Sequence, residues 1–538
     1  MPKITIDGKE IEAREGQSVI EVAHQNGISI GHYCWHPGLS PEGNCRMCLV
    51  EVEKAPKLMP SCMTQVAEGM VVRTEHASQK VRDAQKDVME FLLVDHPIDC
   101  PICDQAGECK LQDYYMKYDK QPSHVPLETK IKKEKRVHFS DQVVYDTERC
   151  ILCTRCVRFC REVGGQEELG MFNRGAISFI GLQSGELQSP YQGNIVDICP
   201  VGALTNSDFR FRKRVWFMSS SKSVCAGCSR GCNILTDYDK EEVFRYRPRE
   251  NPDVNKWWMC DEGRMSYKHI HAEGRALVPL LRQGGEAAEK TGWDKAFSRT
   301  MEIFQLLHKR HGAEAIAAVG SPFASLEENF LLKKLFNSYF PGSPVAFPPE
   351  KLYHQGQGDK FLITADKSPN ALAGSLLGLS ALDAVFDGIE SEKIKALYVL
   401  GDDFLIDRPG APKVAERAEK LFPKLSWLVC QTPYLHKTAR IAHAVFAGAV
   451  HAETTGTFVN VDRRAQRFFQ AIRPPAQARE GIKILRDFGT LMGAELPDAE
   501  NPAALFDAMA AQEKSLSGLS WNALGDRGMP LPSQGAQK

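Results

Sequence analysis

The second half of this sequence has almost no cysteine. Of 17 cysteines in 538 residues, sixteen lie between Cys34 and Cys260, and only Cys430 follows. The first residues show no charged region followed by an apolar one, so no signal peptide is indicated and we expect a cytoplasmic protein. In a reducing compartment, clustered thiols indicate metal binding rather than disulfides. The sequence therefore predicts a metal-binding first half and a different second half.

Other features are also missing, and each absence excludes a class of function. No apolar run approaches the ~20 residues that span a bilayer. Lys and Arg total 67 against 68 Asp and Glu, a net charge of −1 that lacks the basic excess of nucleic-acid-binding proteins. Neither G-x-G-x-x-G nor G-x-x-x-x-G-K-[ST] occurs, so no nucleotide site is indicated. At roughly 150 residues per domain, the length predicts three or four domains.

Residues 150–160 read Cys-Ile-Leu-Cys-Thr-Arg-Cys-Val-Arg-Phe-Cys, a run in which one turn can present three thiolates to one cluster. The bacterial ferredoxin pattern is C-x2-C-x2-C-x3-C-P. Here Arg161 follows Cys160, and the Cys-Pro pair comes later, at Cys199. We predict a small buried residue at Cys160 rather than a ligand. One [4Fe–4S] cluster is assigned to Cys150, Cys153, Cys156 and Cys199.

The N-terminal residues alternate in polarity as strands do. Lys3–Asp7 and Ile11–Glu15 predict two strands around a glycine turn. Ser18 followed by Glu21 predicts a capping box, with a helix to about Gln25. Two strands and a helix in so short a segment favour a β-grasp module of the ferredoxin kind.

Four cysteines follow this module with the spacing C-x10-C-x2-C-x13-C. This differs from the plant-type pattern, but four thiols on a β-grasp scaffold suit a [2Fe–2S] cluster. Structural zinc also uses four thiolates and is the alternative. The scaffold favours iron. The predicted [2Fe–2S] ligands are Cys34, Cys45, Cys48 and Cys62.

The next cysteine group has only three members, Cys100, Cys103 and Cys109. A helix over 77–93 precedes it, with one apolar face predicted at Val81, Ala84, Val88, Phe91 and Leu92. A [4Fe–4S] cluster needs a fourth ligand. His96 is the nearest soft donor, but the spacing leaves Asp99, Asp104 or a distant residue open.

Residues 119–146 resemble a linker that contains a basic run. Such a run is usually a solvated face, which we favour over a docking patch. The run comprises Lys130, Lys132, Lys133, Lys135 and Arg136.

A fourth cysteine group has the spacing C-x2-C-x3-C-x27-C and includes every cysteine between residues 225 and 260. Gly227 and Gly231 are expected to let the backbone come close to the metal. The predicted ligands of this [4Fe–4S] cluster are Cys225, Cys228, Cys232 and Cys260.

From about residue 293 the pattern is α/β. Strands are predicted at Ala315–Val319, Ala396–Leu400 and Leu425–Val429, and a helix opens with a capping box at Ser325. This order suggests a doubly wound sheet. Cys430 continues a strand and is predicted to be core rather than ligand. Beyond about residue 493, small residues and proline predict a loose tail.

In order and spacing, these four cysteine sets resemble one family, the large iron–sulfur subunit (the G subunit) of bacterial NADH:quinone oxidoreductase, respiratory complex I. The resemblance covers about residues 1–490 and is most specific through Cys260. It implies that His96 ligates a cluster with Cys100, Cys103 and Cys109. It also implies that the Cys225 set corresponds to a cluster present in only some members, off the main electron route.

The second half resembles a molybdopterin oxidoreductase domain, and residues 451–466 resemble that superfamily's late motif. Members of the subunit family have lost the cofactor, so no molybdopterin is expected. The sequence agrees with that loss, since no cysteine that could bind molybdenum lies between Cys260 and Cys430. The domain is also shorter than in many relatives. The resemblance therefore implies a scaffold here.

The expected fold class is α+β iron–sulfur modules followed by an α/β domain. The predicted divisions are a β-grasp [2Fe–2S] ferredoxin (1–78), a His/Cys [4Fe–4S] module (79–118), a [4Fe–4S] ferredoxin-like module (119–215), a molybdopterin-oxidoreductase-type cluster domain (216–275), a degenerate α/β domain (276–495) and a tail (496–538).

The resemblance implies an electron-transfer subunit of an oxidoreductase, with no active site of its own. Its expected partners are a flavin- and NADH-binding subunit with a thioredoxin-like [2Fe–2S] companion, and quinone-side hydrophilic subunits. The complex would be peripheral to the cytoplasmic side of the inner membrane. The alternatives are an iron–sulfur subunit of a formate dehydrogenase or hydrogenase, and a binding module held by structural zinc.

Overall fold

The chain forms two compact units in this computed structural model, Met1–Met218 and Ser219–Lys538. Residues 1–119, 125–282 and 288–532 are described by the structure. Within these ranges, no helix has the combined length and apolarity that crossing a bilayer requires. The six-part division predicted from the sequence is finer than these two units and stays a prediction.

The first unit consists of short strands and helices. Its elements are β1 Lys3–Ile6, β2 Lys9–Glu12, α1 Val19–Gln25, β3 Leu49–Val52, β4 Met59–Pro60, β5 Val71–Arg73, α2 Gln79–Leu93, α3 Lys110–Tyr114, β6 Val137–His138, β7 Val143–Tyr145, α4 Arg155–Glu162, β8 Leu169–Phe172, β9 Phe179–Leu182, α5 Gly193–Asp197 and β10 Leu204–Asn206.

The N-terminal module is a five-stranded sheet in the order β2-β1-β5-β3-β4, with β1 antiparallel to β2 and parallel to β5. The predicted capping box at Ser18 is present and begins α1. The second strand was predicted too late in the chain, because the reversal falls at Asp7 and Gly8, both at positive φ. One apolar core joins the sheet and α1, and it includes Cys48 and Cys62.

Helix α2 occupies most of the predicted segment, but its apolar face was partly wrong. Val81 and Met89 are fully buried, whereas the predicted core residue Phe91 is 78% exposed. Gln85 is buried in place of an apolar side chain and donates to the Met47 carbonyl at 3.3 Å. The α2 face that packs inward is therefore rotated from the predicted one.

The prediction of a linker over 119–146 is wrong for its C-terminal part. Strands β6 and β7 lie there and form an antiparallel sheet with β10, in the order β10-β7-β6. The prediction that the basic run is solvated was also wrong for Lys130. This residue is 4% exposed and donates from Nζ to the carbonyls of Leu93 and Val94. This lysine closes the C-terminal end of α2, whose last carbonyls need donors.

The second unit contains the longer elements. They are β11 Ser219–Val224, β12 Asn233–Asp239, β13 Glu242–Pro248, α6 Asp261–Met265, β14 Leu280–Leu281, β15 Glu289–Lys290, α7 Trp293–His311, β16 Ile316–Val319, α8 Leu326–Tyr339, β17 Val345–Phe347, α9 Ala373–Leu376, β18 Ser380–Ala381, α10 Leu382–Glu390, β19 Ala396–Leu400, α11 Pro412–Leu421, β20 Trp427–Thr432, α12 Lys437–Ile441, β21 Ala444–Ala447, β22 Gly456–Val459, β23 Arg464–Phe468, α13 Gly481–Met492, α14 Pro502–Gln512, α15 Trp521–Leu524 and β24 Met529–Pro530.

An eight-stranded sheet organises this unit, in the order β15-β14-β21-β20-β19-β16-β17-β18. The six strands from β21 to β18 run parallel, and strand order reverses between β16 and β19, as in a doubly wound sheet. The predicted capping box at Ser325 is present and begins α8. Cys430 lies in β20 and is fully buried, in agreement with the predicted core position.

The expectation of a loose tail is wrong as far as residue 532. Helix α14 buries Leu505, Phe506 and Met509, and β24 pairs with β23. The segment also accepts hydrogen bonds from the loop before Cys260, since Arg249 donates to the Asp526 carbonyl at 2.8 Å and the Asn251 amide to the Arg527 carbonyl at 2.9 Å. Small-residue content suggested disorder, but alanine also packs closely within helices. Residues 533–538 of the predicted tail lie outside the described residues.

Candidate metal centres

All 17 cysteines are free thiols. In the described part of the chain, no three His, Cys, Asp or Glu side chains are placed to hold a single metal ion. In a [4Fe–4S] cluster each thiolate binds a different iron atom, which is a different arrangement from that around one ion. The four ligand sets therefore stay predictions, and the geometry of each follows.

The first set lies in the loop that precedes β3 and just after β4. The Cys34 thiol interacts with the thiols of Cys45 and Cys62, and Cys48 interacts with Cys62. Hydrogen bonding from Cys45, and then from Cys62, lowers the pKa of Cys34. The Cys34 backbone N–H donates to Cys45 Sγ at 3.4 Å. These contacts bring the four thiols together, as a shared cluster requires.

Arg46, inside this loop, adopts a left-handed backbone at φ 60°. Residues other than glycine pay roughly 1–3 kcal/mol for such a conformation, and these conformations cluster at functional sites. The turn between Cys45 and Cys48 thus has a backbone conformation that sequence propensity would not predict.

The second set follows α2. Cys100 begins a short 3-10 helix and Cys109 caps α3. The three thiols interact electrostatically with one another, and burial raises the pKa of Cys109 to about 11. Ile98, before the first cysteine, is left-handed at φ 47°.

His96 has a buried Nδ1 that lacks a hydrogen-bond partner within the described residues. Burial lowers the pKa of His96 to about 4, so the imidazole is neutral at pH 7 and can act as a donor to a metal. Its electrostatic neighbours are Asp99, Arg149, Lys130 and Lys135. A buried, neutral nitrogen without a partner, on a residue four positions before Cys100, fits a fourth ligand.

The carboxylate alternatives are engaged elsewhere. Asp99 accepts hydrogen bonds from Arg149 Nε at 3.1 Å and Nη2 at 2.6 Å. Burial alone would raise the pKa of Asp99, but the Arg149 hydrogen bonds and charge hold it below its usual value. Asp104 accepts from the Phe211 N–H at 2.9 Å. The donor set therefore favours His96 over both carboxylates.

The third set surrounds the start of α4. Burial raises the pKa of Cys150, Cys153 and Cys199 to about 11 each. Cys156 interacts electrostatically with all three. Such thiols bind as thiolates when a metal supplies the compensating charge. Cys160, one turn further along α4, is buried at 3% exposure, as predicted.

The loop of this third set also has a left-handed backbone. Leu152 and Thr154, on either side of Cys153, have φ values of 55° and 59°. The Leu152 N–H donates to Cys150 Sγ at 3.4 Å. The turn thus places a backbone donor on the Cys150 sulfur.

The fourth set belongs to the second unit. Cys225 follows β11, Cys232 precedes β12 and Cys260 caps α6, where it accepts from the Gly263 N–H at 3.3 Å. A Cβ at Gly263 would lie 3.0 Å from Cys225 Sγ and 3.3 Å from Cys260 Sγ. Gly263, which the sequence did not single out, thus leaves room beside these sulfurs.

The predicted role of Gly231 needs correction. Gly231 is left-handed at φ 64°, but an added Cβ would meet Gln466 Oε1 at 2.9 Å rather than a sulfur. At Gly227 an added Cβ would lie 3.5 Å from Cys225 Sγ, which is ordinary contact. Of the two predicted glycines, only Gly227 faces the thiols.

A segment of the third set touches the second set. An added Cβ at Gly202 would collide with Cys103 Sγ. The Pro200 carbonyl accepts from the Lys110 N–H at 3.0 Å, and Cys109 Sγ lies 3.9 Å from the same oxygen. The segment that starts at Cys199 thus lies directly against two thiols of the neighbouring set. No sequence pattern indicated this contact.

The second unit also contains a cavity of about 330 Å³ at the carboxyl ends of the parallel strands. Gly227 lines it, together with His451, Thr454 and Phe458 of the late motif. Burial lowers the pKa of His451 to about 3, and its Nε2 lies 3.0 Å from the Tyr246 hydroxyl. Open α/β sheets bind ligands at this edge.

Five family models match successive parts of the chain. In chain order they are the 2Fe-2S iron-sulfur cluster binding domain (2–77), the NADH-ubiquinone oxidoreductase-G iron-sulfur binding region (85–124), the ferredoxin-like domain of NADH-quinone oxidoreductase subunit 3 (140–205), the molybdopterin oxidoreductase Fe4S4 domain (218–272) and molybdopterin oxidoreductase (370–490). Domains that bind [2Fe–2S] and [4Fe–4S] clusters are therefore present.

Three curated relatives illustrate the similarity. The NADH-quinone oxidoreductase G subunit of Streptomyces coelicolor is 42% identical over 54% of this chain and 35% of its own length. The corresponding G subunit of Rickettsia felis is 38% identical over 62% of this chain and 49% of its own length. The mitochondrial NADH-ubiquinone oxidoreductase 78 kDa subunit of Candida albicans is 29% identical over 92% and 83% respectively.

The matched part of the chain thus spans between a third and a half of the two bacterial relatives. The names of these relatives, their sequence identity to the chain and the order of the matched domains agree with the resemblance drawn from the cysteine spacing. The chain is similar to NADH-quinone oxidoreductase G subunits, and its matched domains are [2Fe–2S] and [4Fe–4S] cluster domains followed by a molybdopterin oxidoreductase domain.

Proposed function

We propose that this chain is an electron-transfer subunit of an NADH:quinone oxidoreductase, and that it passes single electrons from a flavin-bearing subunit toward quinone. The names of its relatives and its iron–sulfur domains support this proposal. An iron–sulfur cluster, when bound, takes up and releases one electron at a time. The chain's own residues hold, space and electrostatically tune these groups.

We assign the ligands as the cysteine spacing and, for His96, the family resemblance predicted them. The [2Fe–2S] cluster is held by Cys34, Cys45, Cys48 and Cys62, and the three [4Fe–4S] clusters are held by His96 with Cys100, Cys103 and Cys109, by Cys150, Cys153, Cys156 and Cys199, and by Cys225, Cys228, Cys232 and Cys260. Interacting thiols within each set, and the orphaned His96 nitrogen, support the assignment.

One observation carries the proposed order of transfer. In the first unit, the Cys150 set contacts both of the other sets. Its Cys199–Gly202 segment lies against Cys103 and Cys109, and its helix α4 contacts the loop of the [2Fe–2S] set through Arg155, which donates to the Trp35 carbonyl. This central position fits the order [2Fe–2S], then the Cys150 set, then the His96 set.

The assembly around the chain is also part of the proposal. We infer partners on two sides: a flavin- and NADH-binding subunit with a thioredoxin-like [2Fe–2S] companion, and hydrophilic subunits that lead to quinone. Within such a complex the chain lies at the cytoplasmic side of the inner membrane and reaches the membrane only through its partners.

The first test is the metal content of protein purified without oxygen. One [2Fe–2S] and three [4Fe–4S] clusters amount to about 14 iron atoms per chain, with a similar amount of sulfide and little zinc. Electron paramagnetic resonance should resolve more than one type of cluster. A chain with about four metal atoms, mostly zinc, would contradict the proposal and support a structural binding module.

The second test addresses His96. His96→Ala should remove one [4Fe–4S] signal and lower the iron content by about four atoms, since a cube with three protein ligands is labile. His138→Ala, at an exposed position of the same unit, is the control and should keep the full content. An unchanged set of signals in His96→Ala would exclude His96 as a ligand.

A further inference from the structure

Two arginines of helix α4 are buried between the predicted [2Fe–2S] and [4Fe–4S] sites of the first unit. Arg155 is 4% exposed and Arg158 is 1% exposed, among the most buried charged side chains of the described structure. Both belong to the segment that carries Cys153 and Cys156, and both extend to the loop that carries Cys34. Charged side chains rarely occupy such positions unless an opposite charge accompanies them.

The hydrogen bonds of the two arginines connect the ligand loops. Arg155 donates from Nη1 to the Ile198 carbonyl at 3.0 Å and from Nη2 to the Trp35 carbonyl. Ile198 immediately precedes one predicted ligand, Cys199, and Trp35 immediately follows another, Cys34. One guanidinium thus bridges both sets.

Arg158 makes the same connection more directly. Its Nη2 donates to the Cys34 carbonyl at 2.5 Å and to the Cys153 carbonyl at 3.2 Å. Its Nη1 donates to the Ser40 carbonyl. The backbone of one predicted ligand from each set is therefore held by a single side chain.

These guanidinium groups have little compensating charge from the protein. In the described part of the chain, Arg155 makes no ion pair with a carboxylate, and its Nε lacks a partner. Within the described residues, Arg158 forms one ion pair, with Glu42, whose side chain is 40% exposed and whose Oε2 lies 3.7 Å from Nε. It also interacts electrostatically with the partly exposed Glu162, which accepts hydrogen bonds from Ser40 and Arg161. Carbonyl oxygens satisfy donors but do not neutralise charge, and a buried uncompensated charge is costly.

Further basic side chains lie beside the same loop. Lys110 directly follows Cys109 in the sequence, and its Nζ lies 3.3 Å from Nε2 of His32. His32 in turn lies two residues before Cys34. Electrostatically, Arg155 interacts with Cys153, Cys199 and Cys34. The region therefore accumulates positive charge where the predicted thiolates converge.

We infer that Arg155 and Arg158 are the built-in counter-charges of the [2Fe–2S] and Cys150-set clusters, which they position relative to each other and whose reduction potentials they raise together. This inference rests on the proposed function. Four thiolates give each bound cluster a net negative charge, and reduction adds another. A fixed buried cation stabilises the reduced form more than the oxidised form, so it raises the potential.

The test is a redox titration of the intact, cluster-loaded chain, followed by electron paramagnetic resonance. Arg155→Gln keeps hydrogen-bond donors but removes the charge. We expect the equilibrium constant for reduction to fall about tenfold at both clusters, which is about 59 mV for one electron. Arg158→Gln should act in the same direction, and Arg155→Lys should restore most of the potential.

Arg161→Gln is the matched control. Arg161 lies on the same helix, but its side chain is 52% exposed and pairs with Glu162. Loss of this screened charge should change the equilibrium constants less than twofold. Unchanged potentials in Arg155→Gln and Arg158→Gln at full iron content would overturn the inference.

Loss of clusters from the glutamine variants would also be informative. In that case the lysine variants distinguish a requirement for charge from a requirement for geometry, because they keep the positive charge and lose the planar guanidinium group. Retention of both clusters in Arg155→Lys and Arg158→Lys supports a charge requirement, and their loss there overturns it in favour of geometry alone. If the unaltered chain itself binds no clusters, the proposed function fails and not merely this inference.

Discussion

The two units hold their predicted cluster sites in different ways. Between residues 94 and 218, the described strands are at most four residues long, and the longest described helix, α4, has eight residues. Buried arginines such as Arg149, which pairs with the half-buried Asp99, and Arg158 connect the ligand loops there. In the second unit, β20 has six fully buried residues and α7 has 19 residues, so the sheet has an extensive apolar core of its own.

This difference suggests that the first unit depends on the groups it binds, whereas the second unit depends on its own packing. Short elements with buried charges cannot offset the conformational entropy of folding without further stabilisation. A bound metal group contributes its binding free energy to folding. Three measurements test this difference between the units.

The largest effect is expected from removal of iron. Chelation under reducing conditions should abolish amide protection in residues 95–110 and 147–162 and leave β16, β19 and β20 protected, because those strands lie in a continuous apolar core. Hydrogen exchange with mass spectrometry measures both regions in one sample. Equal loss of protection in the two units would refute the comparison.

A large effect is also expected at the buried ion pair of the second unit. Arg275 donates to Glu453 from Nη1 at 2.9 Å and from Nη2 at 2.7 Å. Glu453→Ala leaves the arginine buried and unpaired, which should lower the free energy of unfolding of this unit by about 3–5 kcal/mol. Urea denaturation provides the value.

The control for this variant is Glu241→Ala. Glu241 pairs with Arg473 at the surface, where the side chains are 50% and 85% exposed. Exposed pairs contribute roughly 0–1 kcal/mol, so the control should change little. Similar losses in Glu453→Ala and Glu241→Ala would mean that burial does not determine the contribution of these pairs.

The smallest effect concerns pH and His451. Burial lowers the pKa of His451 to about 3, below the ~6.5 expected for the unfolded chain. A depressed pKa contributes stability that is present above pH 6.5 and is lost as the pH falls, because the unfolded state binds the proton first. Between pH 7 and pH 5 the loss for this group is about 2 kcal/mol.

Urea denaturation of the second unit at the two pH values measures this loss. His451→Gln cannot gain the proton, so its stability should fall about 2 kcal/mol less over the same range than that of the unaltered chain. Parallel pH profiles for the two proteins would exclude His451 as the source.

Much of the fold followed from local patterns. The capping boxes at Ser18 and Ser325 and the strand Ala396–Leu400 were predicted correctly, because helix caps and apolar strands depend on neighbouring residues. The prediction of a loose tail was wrong because the helix there is stabilised by burial against elements that are distant in the sequence. The solvated position predicted for Lys130 was wrong for the same reason, since the carbonyls that bind this lysine lie far away in the sequence.

The cysteine spacing predicted four ligand sets, and the thiols of each set interact with one another, although Cys199 and Cys260 lie far along the chain from the other members of their sets. Gly202 and Gly263 were missed, since their importance arises from sulfurs of segments that approach only in the folded chain. The bridging roles of Arg155 and Arg158 were hidden for a similar reason. Their partners lie in the loop of another cysteine set, more than a hundred residues earlier.

The hydrogen bonds from Arg249 and Asn251 to residues 526–527 have a consequence for biosynthesis. The loop that presents Cys260 is completed by a segment that the ribosome synthesises much later. During translation, the Cys225 set therefore emerges before the residues that fix its loop exist. We expect iron insertion at this set to wait for the synthesis of residues 526–527, whereas the β-grasp module can acquire its metal much earlier in translation.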